Sequence, residues 1–318
     1  MRVALPIVAL AAVLAGQAVP AAGQAIAGSP QTSPTFRSGV EMVTVAAVVR
    51  DKKGRLVSTL TRDQFQVLDR GELRQIKDFR PDRAPVSLAL LFDASGSMSV
   101  ASNVDAAKRA AADLTDGLEP GRDEYALFSF DTRLEELQGF SSAKSDVQGS
   151  LNAVEPFGMT SLLDAIAETA RLTAARGGAH RAVVVLTDGI DTASRLTLDQ
   201  VAAIASEIDV PVYILAVVSP LDHPGLAGSL VANGTGPLAG DLANLAASTG
   251  GGLFISSKPE DSLAASREIV TELRHQYLIA FEPGTQPGWH PLEIRVRDSK
   301  LTVRARSGYV AASPRRGQ

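Results

Sequence analysis

Three textures of apolar and polar positions follow one another along the chain. From Val40 to Phe79 apolar residues come in short runs, Val43–Val49 and Phe65–Leu68, interrupted at Asp51-Lys52-Lys53-Gly54 and Asp69-Arg70-Gly71. That pattern predicts several short strands joined by turns. At Pro85 it changes to long apolar runs, Val86–Phe92 and Tyr125–Phe130 with one serine each, Ala182–Leu186, Val212–Val218 and Leu253–Ile255, with a further short strand near Leu134–Leu137. Between them lie segments of helical period, at Val104–Leu118, Ala143–Val154, Ser161–Arg176, Thr197–Ile208, Gly240–Ser248 and Pro259–Arg274. Strands apolar at every position are buried on both faces, so the alternation predicts an α/β, doubly wound, mostly parallel sheet. After Arg274 the short β runs return, at Gln276–Phe281, Pro291–Arg297 and Leu301–Arg304.

Neither β flank has enough strands to bury a face alone, whereas about seven together suffice for a sandwich. The expected architecture is therefore an α/β domain over 85–274 inserted into a β-sandwich formed by N- and C-terminal segments, 36–84 and 275–312. Two separate terminal appendages are the alternative. Residues 313–318 read as a solvated tail, and no internal repeat is visible.

The first 25 residues carry Arg2, the apolar run Val3–Leu14 and small residues around Gly23-Gln24-Ala25. This is the pattern of a secretory signal peptide, followed by a Ser/Pro/Thr/Gly linker over 26–35. The run is shorter than the about 20 residues a membrane-spanning helix needs, and no later stretch is long and charge-free enough. A secreted or periplasmic protein with no membrane span after signal cleavage is expected.

Composition narrows the function. The chain has 318 residues, 45% hydrophobic and 21% charged, an ordinary globular balance. Lys plus Arg at 31 against Asp plus Glu at 35 gives a net charge of −4, with no basic block to neutralise a phosphate backbone. Nucleic acid is thereby disfavoured as a partner. Cysteine is absent, which removes disulfides, zinc ribbons, iron–sulfur clusters and thiol nucleophiles.

What chemistry remains is concentrated where the first buried strand ends. Asp93, Ser95 and Ser97, in Leu91-Phe92-Asp93-Ala94-Ser95-Gly96-Ser97, offer one carboxylate and two hydroxyls in five residues, at the edge where open α/β sheets bind ligands. Gly96 allows a tight turn that lets such oxygen donors converge on a cation. Asp188, in Leu186-Thr187-Asp188-Gly189, follows another buried strand and falls on the same edge, while Thr160 opens a further helix. Singly, Ser95, Ser97 and Thr160 also read as helix caps, and Asp188 as a turn former.

Together these residues resemble the von Willebrand factor type A domain, whose metal-ion-dependent adhesion site (MIDAS) is D-x-S-x-S, then a distant Thr, then a distant Asp after a buried strand. The resemblance covers roughly Val86 to Ser257 and implies a Rossmann-like fold with Asp93, Ser95, Ser97, Thr160 and Asp188 as metal ligands. An all-oxygen set with two carboxylates favours Mg²⁺ or Mn²⁺, with Ca²⁺ second. The implied function is an adhesion or scaffold module, not an enzyme, that captures an Asp or Glu carboxylate of a protein partner through the cation. Asp131 and Asp191 are candidates to support the ligands. Some integrin relatives carry a second Asp pair just after the serines; here Ser99-Val100-Ala101 stands instead, against an adjacent second metal.

The flanking phrases Val48–Gly54, Asp63–Leu68, Gln276–Ile279 and Arg304–Tyr309 resemble the secreted bacterial family called von Willebrand factor type A-related, of acidobacterial type. Two other functions stay open. The Asp93 loop is similar to the D-x-D-G-[TS] loop of dehalogenase-type phosphatases, but Ser95 replaces the general acid, and His180, His223, His275 and His290 are scattered over turns and β segments. A structural module with a metal kept only for stability has the same sequence signature. The long connection Ser219–Leu238, rich in Pro and Gly, is expected to line the approach to the metal.

Overall fold

The computed structural model describes residues 42–143, 145–177, 180–218 and 237–311, all of which fall in one compact unit, Val40–Gln318. The signal peptide, the linker, the tail and nearly all of the long connection lie outside these residues. Only the last two positions of that connection are included, in the helix Pro237–Ser248.

The N-terminal flank forms β1 (Val43–Asp51), β2 (Phe65–Asp69), β3 (Glu72–Arg74) and β4 (Ile76–Asp82). The central region then runs β5 (Val86–Asp93), α1 (Asn103–Asp116), β6 (Glu124–Phe130), β7 (Leu134–Ser141), α2 (Val147–Asn152), α3 (Leu162–Ala174), β8 (His180–Thr187), α4 (Leu198–Glu207), β9 (Val212–Val217), α5 (Pro237–Ser248), β10 (Leu253–Ser256) and α6 (Pro259–Arg274). The C-terminal flank adds β11 (Gln276–Phe281), β12 (Gly288–Val296), β13 (Leu301–Ala305) and β14 (Gly308–Ala311).

The central sheet has the order β10-β9-β8-β5-β6-β7 and is parallel except for β7, which pairs antiparallel with β6 at the edge. Its five parallel strands are mostly apolar because both faces are covered, whereas the edge strand β7 carries Glu135, Glu136 and Gln138. Val86, Leu88, Leu90 and Phe92 of β5 pack with α1 and α6, whereas Ala89 and Leu91 pack with α3, α4 and α5. β5 pairs with β6 on one side and β8 on the other, so the order of the chain reverses there. In open α/β sheets that switch point opens a crevice at the carboxyl ends of the strands.

The flanks make two four-stranded sheets, β13-β1-β11-β4 and β14-β12-β2-β3. Each mixes strands from both ends of the chain. Val45 and Val49 of β1, Phe65 and Val67 of β2, Tyr277 and Ile279 of β11 and Ile294 of β12 share one core. This is the sandwich expected from the strand shortage on either flank, with eight strands instead of about seven. The α/β layer enters it where β4 hands over to β5 and leaves where α6 hands over to β11. At that junction the buried Glu272 of α6 receives Arg50 of β1 and Arg304 of β13.

Several boundaries differ from the sequence expectation for local reasons. The segment expected as helix Ala143–Val154 is helical only over α2, because the Asp146 side chain accepts from the Gly149 amide and sets the start there. α1 is preceded by a 3-10 stretch, Gly96–Ser102, so Ser97 lies on a tighter turn than an α-helix start and Ser95 just before it. Two of the four histidines are not surface groups. His180 is buried with Nδ1 against the Leu273 carbonyl, and His290 is buried between Asp69 and the Gln286 carbonyl.

Candidate functional site

β5 ends at Asp93 and β8 at Thr187, and the parallel register sets Phe92 beside Leu186. The next residue on each strand therefore meets across the switch point. Thr187 donates its hydroxyl to Asp93 Oδ2 at 2.5 Å, and the Ser95 amide donates to Asp93 Oδ1 at 2.9 Å. The Ser95 and Ser97 hydroxyls lie 3.0 Å apart. Asp93 and Ser95 are fully buried, Thr160 and Asp188 nearly so, and Ser97 is half-buried.

The Thr160 loop is laced to the same edge by its backbone. Phe157 donates to the Ala94 carbonyl at 2.8 Å and Gly96 to the Gly158 carbonyl at 3.1 Å, which brings the loop over the Asp93 turn. A side chain at position 96 would press on that carbonyl at 3.2 Å, and Gly158 turns with φ of +84°, so both glycines are needed for this close approach. From the other side, Thr192 and Ala193 donate their amides to the Thr160 carbonyl, each at 2.9 Å, and the Thr192 hydroxyl accepts from the Thr160 amide at 2.9 Å. Asp188 holds its own turn, accepting from the Ile190 amide at 3.2 Å.

Asp131 and Asp191 serve this loop through the start of α3. The Asp131 carbonyl accepts from the Ser161 amide at 2.8 Å, and Asp191 Oδ1 accepts from the Leu162 amide at 2.9 Å and the Ser194 hydroxyl at 2.7 Å. Thr187, Thr192 and Ser194 were not singled out from the sequence. A hydroxyl directly before the Asp of Leu186-Thr187-Asp188 was the available signal for Thr187; the other two become visible only when the fold brings their loop to α3.

The electrostatics of Asp93 set it apart. Burial is the main force raising its carboxyl, hydrogen bonds from Ser95 and Thr187 oppose this, and the charge of Asp188 adds to the rise, which reaches about 6. Among the described residues no ion pair includes Asp93 or Asp188. Two enclosed carboxylates without a cation are costly, and a bound divalent ion is the ordinary remedy. The donor set fits one: two carboxylates and clustered hydroxyls are hard oxygen ligands. Among the described residues no cluster of three or more His, Cys, Asp or Glu exists to hold a metal elsewhere.

An open, mostly parallel α/β sheet with acidic and hydroxyl side chains at its switch point defines a class of proteins that bind a ligand over the carboxyl edge. Residues 88–190 match the family model for the von Willebrand factor type A domain, and the chain carries such a domain in this region. The match assigns the domain without reaching the bacterial family that the flanks resemble. No curated protein matches the sequence.

Solved structures similar to this one include proximal thread matrix protein 1 from the mussel byssus, 22% identical, covering 64% of this chain and 50% of that one, with a TM-score of 0.47. This chain therefore spans half the length of the mussel protein. BatB from Bacteroides thetaiotaomicron is 19% identical over 59% of this chain and 98% of its own, with a TM-score of 0.46. A von Willebrand factor type A protein from Catenulispora acidiphila is 14% identical over 84% and 73%, with a TM-score of 0.48. One structure of the mussel protein has a zinc-occupied MIDAS motif.

Proposed function

We propose that Asp93, Ser95, Ser97, Thr160 and Asp188 hold a divalent cation, Mg²⁺ or Mn²⁺ ahead of Ca²⁺, and that an Asp or Glu carboxylate of a protein partner completes its coordination. The observation that supports this most is Asp93: a buried carboxylate, raised in pKa, beside a second carboxylate and two hydroxyls, with no cationic side chain to offset it among the described residues. The two carboxylates formally neutralise the ion, so it keeps an affinity for one further anionic oxygen at an open position. The cation supplies that electrostatic attraction when bound. The chain's part is to fix the donors, through Thr187 on Asp93 and through Thr192 and Asp191 on the Thr160 loop.

The proposed role is that of an extracytoplasmic adhesion or scaffold module. Among the described residues no helix is long and apolar enough to cross a membrane. Titration calorimetry with Mg²⁺, Mn²⁺, Ca²⁺ and Zn²⁺ on the wild type and Asp93→Ala tests the reading. A saturable site in the wild type, weakened by at least about 100-fold in the variant, is expected, since even groups that only orient a ligand are worth about 10–100-fold. Equal affinity in both would return these residues to capping and turn roles.

A further inference from the structure

Eight large apolar side chains are exposed among the described residues, and three of them lie within three positions of Thr160 or Asp188. Phe157 is 79% exposed, Met159 58% and Ile190 40%. The backbone bonds already described join the 157–160 loop to the 190–193 turn, so the three side chains border one edge. Scattered exposed apolar groups are ordinary, but a cluster around a polar centre marks an interaction surface.

Beside that edge runs a groove of about 670 Å³, lined in part by Arg133, Ser161, Asp164, Glu168, Arg171 and Arg195. Ser161 adjoins Thr160, so the groove opens next to the proposed ligands. Its cations outnumber its anions. Glu168 pairs with Arg171 at 3.2 Å and Asp164 with Arg195 at 3.4 Å, while among the described residues Arg133 has no acidic partner.

Resting on the metal reading above, we propose that this surface receives a protein segment whose metal-bound Asp or Glu is flanked by apolar side chains, with a second acidic side chain reaching Arg133. The apolar flanks would cover Phe157, Met159 and Ile190, which a lone carboxylate would leave in water. Charge complementarity selects one extra acidic group: Asp164 and Glu168 are already matched to their arginines, so a dense polyanion would meet repulsion.

The test uses the full chain and fluorescent octapeptides with a central glutamate flanked by leucines or by serines, with or without a second acidic residue, in Mg²⁺ and in EDTA. Leucine-flanked peptides should bind at least about tenfold more tightly than serine-flanked ones in Mg²⁺, and the second acid should add a few-fold. Phe157→Ser with Met159→Ser should erase the leucine advantage while calorimetric Mg²⁺ affinity is unchanged, and Arg133→Ser should erase only the gain from the second acid. Failure of Mg²⁺ to bind, or peptide binding that survives EDTA, overturns the metal reading itself. Intact Mg²⁺ binding with no preference for leucine, or with no peptide bound at all, overturns the surface proposal alone.

Discussion

Asp69 and Asp93 are both fully buried aspartates at the end of a strand, one in the sandwich and one in the α/β layer, and their surroundings are opposite in sign. Around Asp69 stand His290 at 2.6 Å, the Gly284 amide at 2.9 Å, the Tyr309 hydroxyl at 3.1 Å and Arg74 at 3.2 Å. The His290 ring lies between Asp69 Oδ1 and the Gln286 carbonyl. Burial alone would raise the Asp69 carboxyl, but these donors outweigh it and hold it below its usual range. Among the described residues Asp93 receives only the neutral donors of Ser95 and Thr187 and faces Asp188, and its carboxyl is raised. The first is a finished structural network. The second leaves two neighbouring carboxylates without a cationic partner among the described residues, the contrast on which the proposed cation site rests.

The most severe way to break this comparison is Asp69→Asn, which leaves Arg74 and His290 facing a neutral amide. A loss of about 3–5 kcal/mol in urea unfolding is expected, the usual cost of stripping one partner from a buried charge pair. Asp93→Asn should do the reverse without metal, raising stability at pH 8 by up to about 3 kcal/mol as a buried, unpaired charge disappears. On the proposed function Mg²⁺ should raise the melting temperature of the wild type and leave that of the variant unchanged. If both variants shift stability the same way, the contrast between the two aspartates is wrong.

A pH series sharpens the same contrast. The folded-state carboxyl of Asp93 sits at about 6, above its ordinary 3.8. Its contribution to metal-free stability is therefore full below about 3.8 and lost as pH rises through about 6. Asp69, held low, contributes the other way, and its share is lost as pH falls through its depressed value. Since a metal needs the ionised form, Mg²⁺ affinity should fall by about tenfold per pH unit below 6. Thr187→Val, by removing a donor to Asp93, should move that fall to higher pH; an unmoved midpoint in calorimetry would show that Thr187 does not tune the carboxylate. The smallest effect belongs to Ser97→Ala, where water can replace one neutral ligand at a cost of about 1 kcal/mol in metal affinity.

The site was more legible than the sandwich because its residues are spaced by strands whose pattern is unmistakable. Val86–Phe92 is apolar except at Ser87 and Ala182–Leu186 is apolar at every step, and Asp93 and Asp188 follow on the same edge of a parallel sheet. The flanks hid more. β3 is Glu72-Leu73-Arg74, with nothing apolar buried, and β4 carries Lys77, Asp78, Arg80, Pro81 and Asp82, so neither shows the alternation of a strand. β4 exists because β11 pairs with it across nearly 200 residues of intervening chain, from Asp82 with Gln276 to Ile76 with Phe281. Local pattern cannot report such a partner. The burial of His290 is hidden for the same reason: it is enclosed by Asp69 and Tyr309, which come from β2 and β14.

That β4–β11 pair has a consequence for how the chain could change. Seen from the sandwich, the whole α/β layer stands where a hairpin turn would stand, between two antiparallel neighbours about 4.8 Å apart. Its two ends meet at the amino edge of the central sheet, while Asp93, Thr160 and Asp188 open from the carboxyl edge. Among the described residues, the loops 94–97, 131–133, 157–161 and 188–194 on that far edge make no hydrogen bond to the host sheets. On the proposed function, partner choice and scaffold integrity would thus vary separately, being written into opposite edges of one sheet.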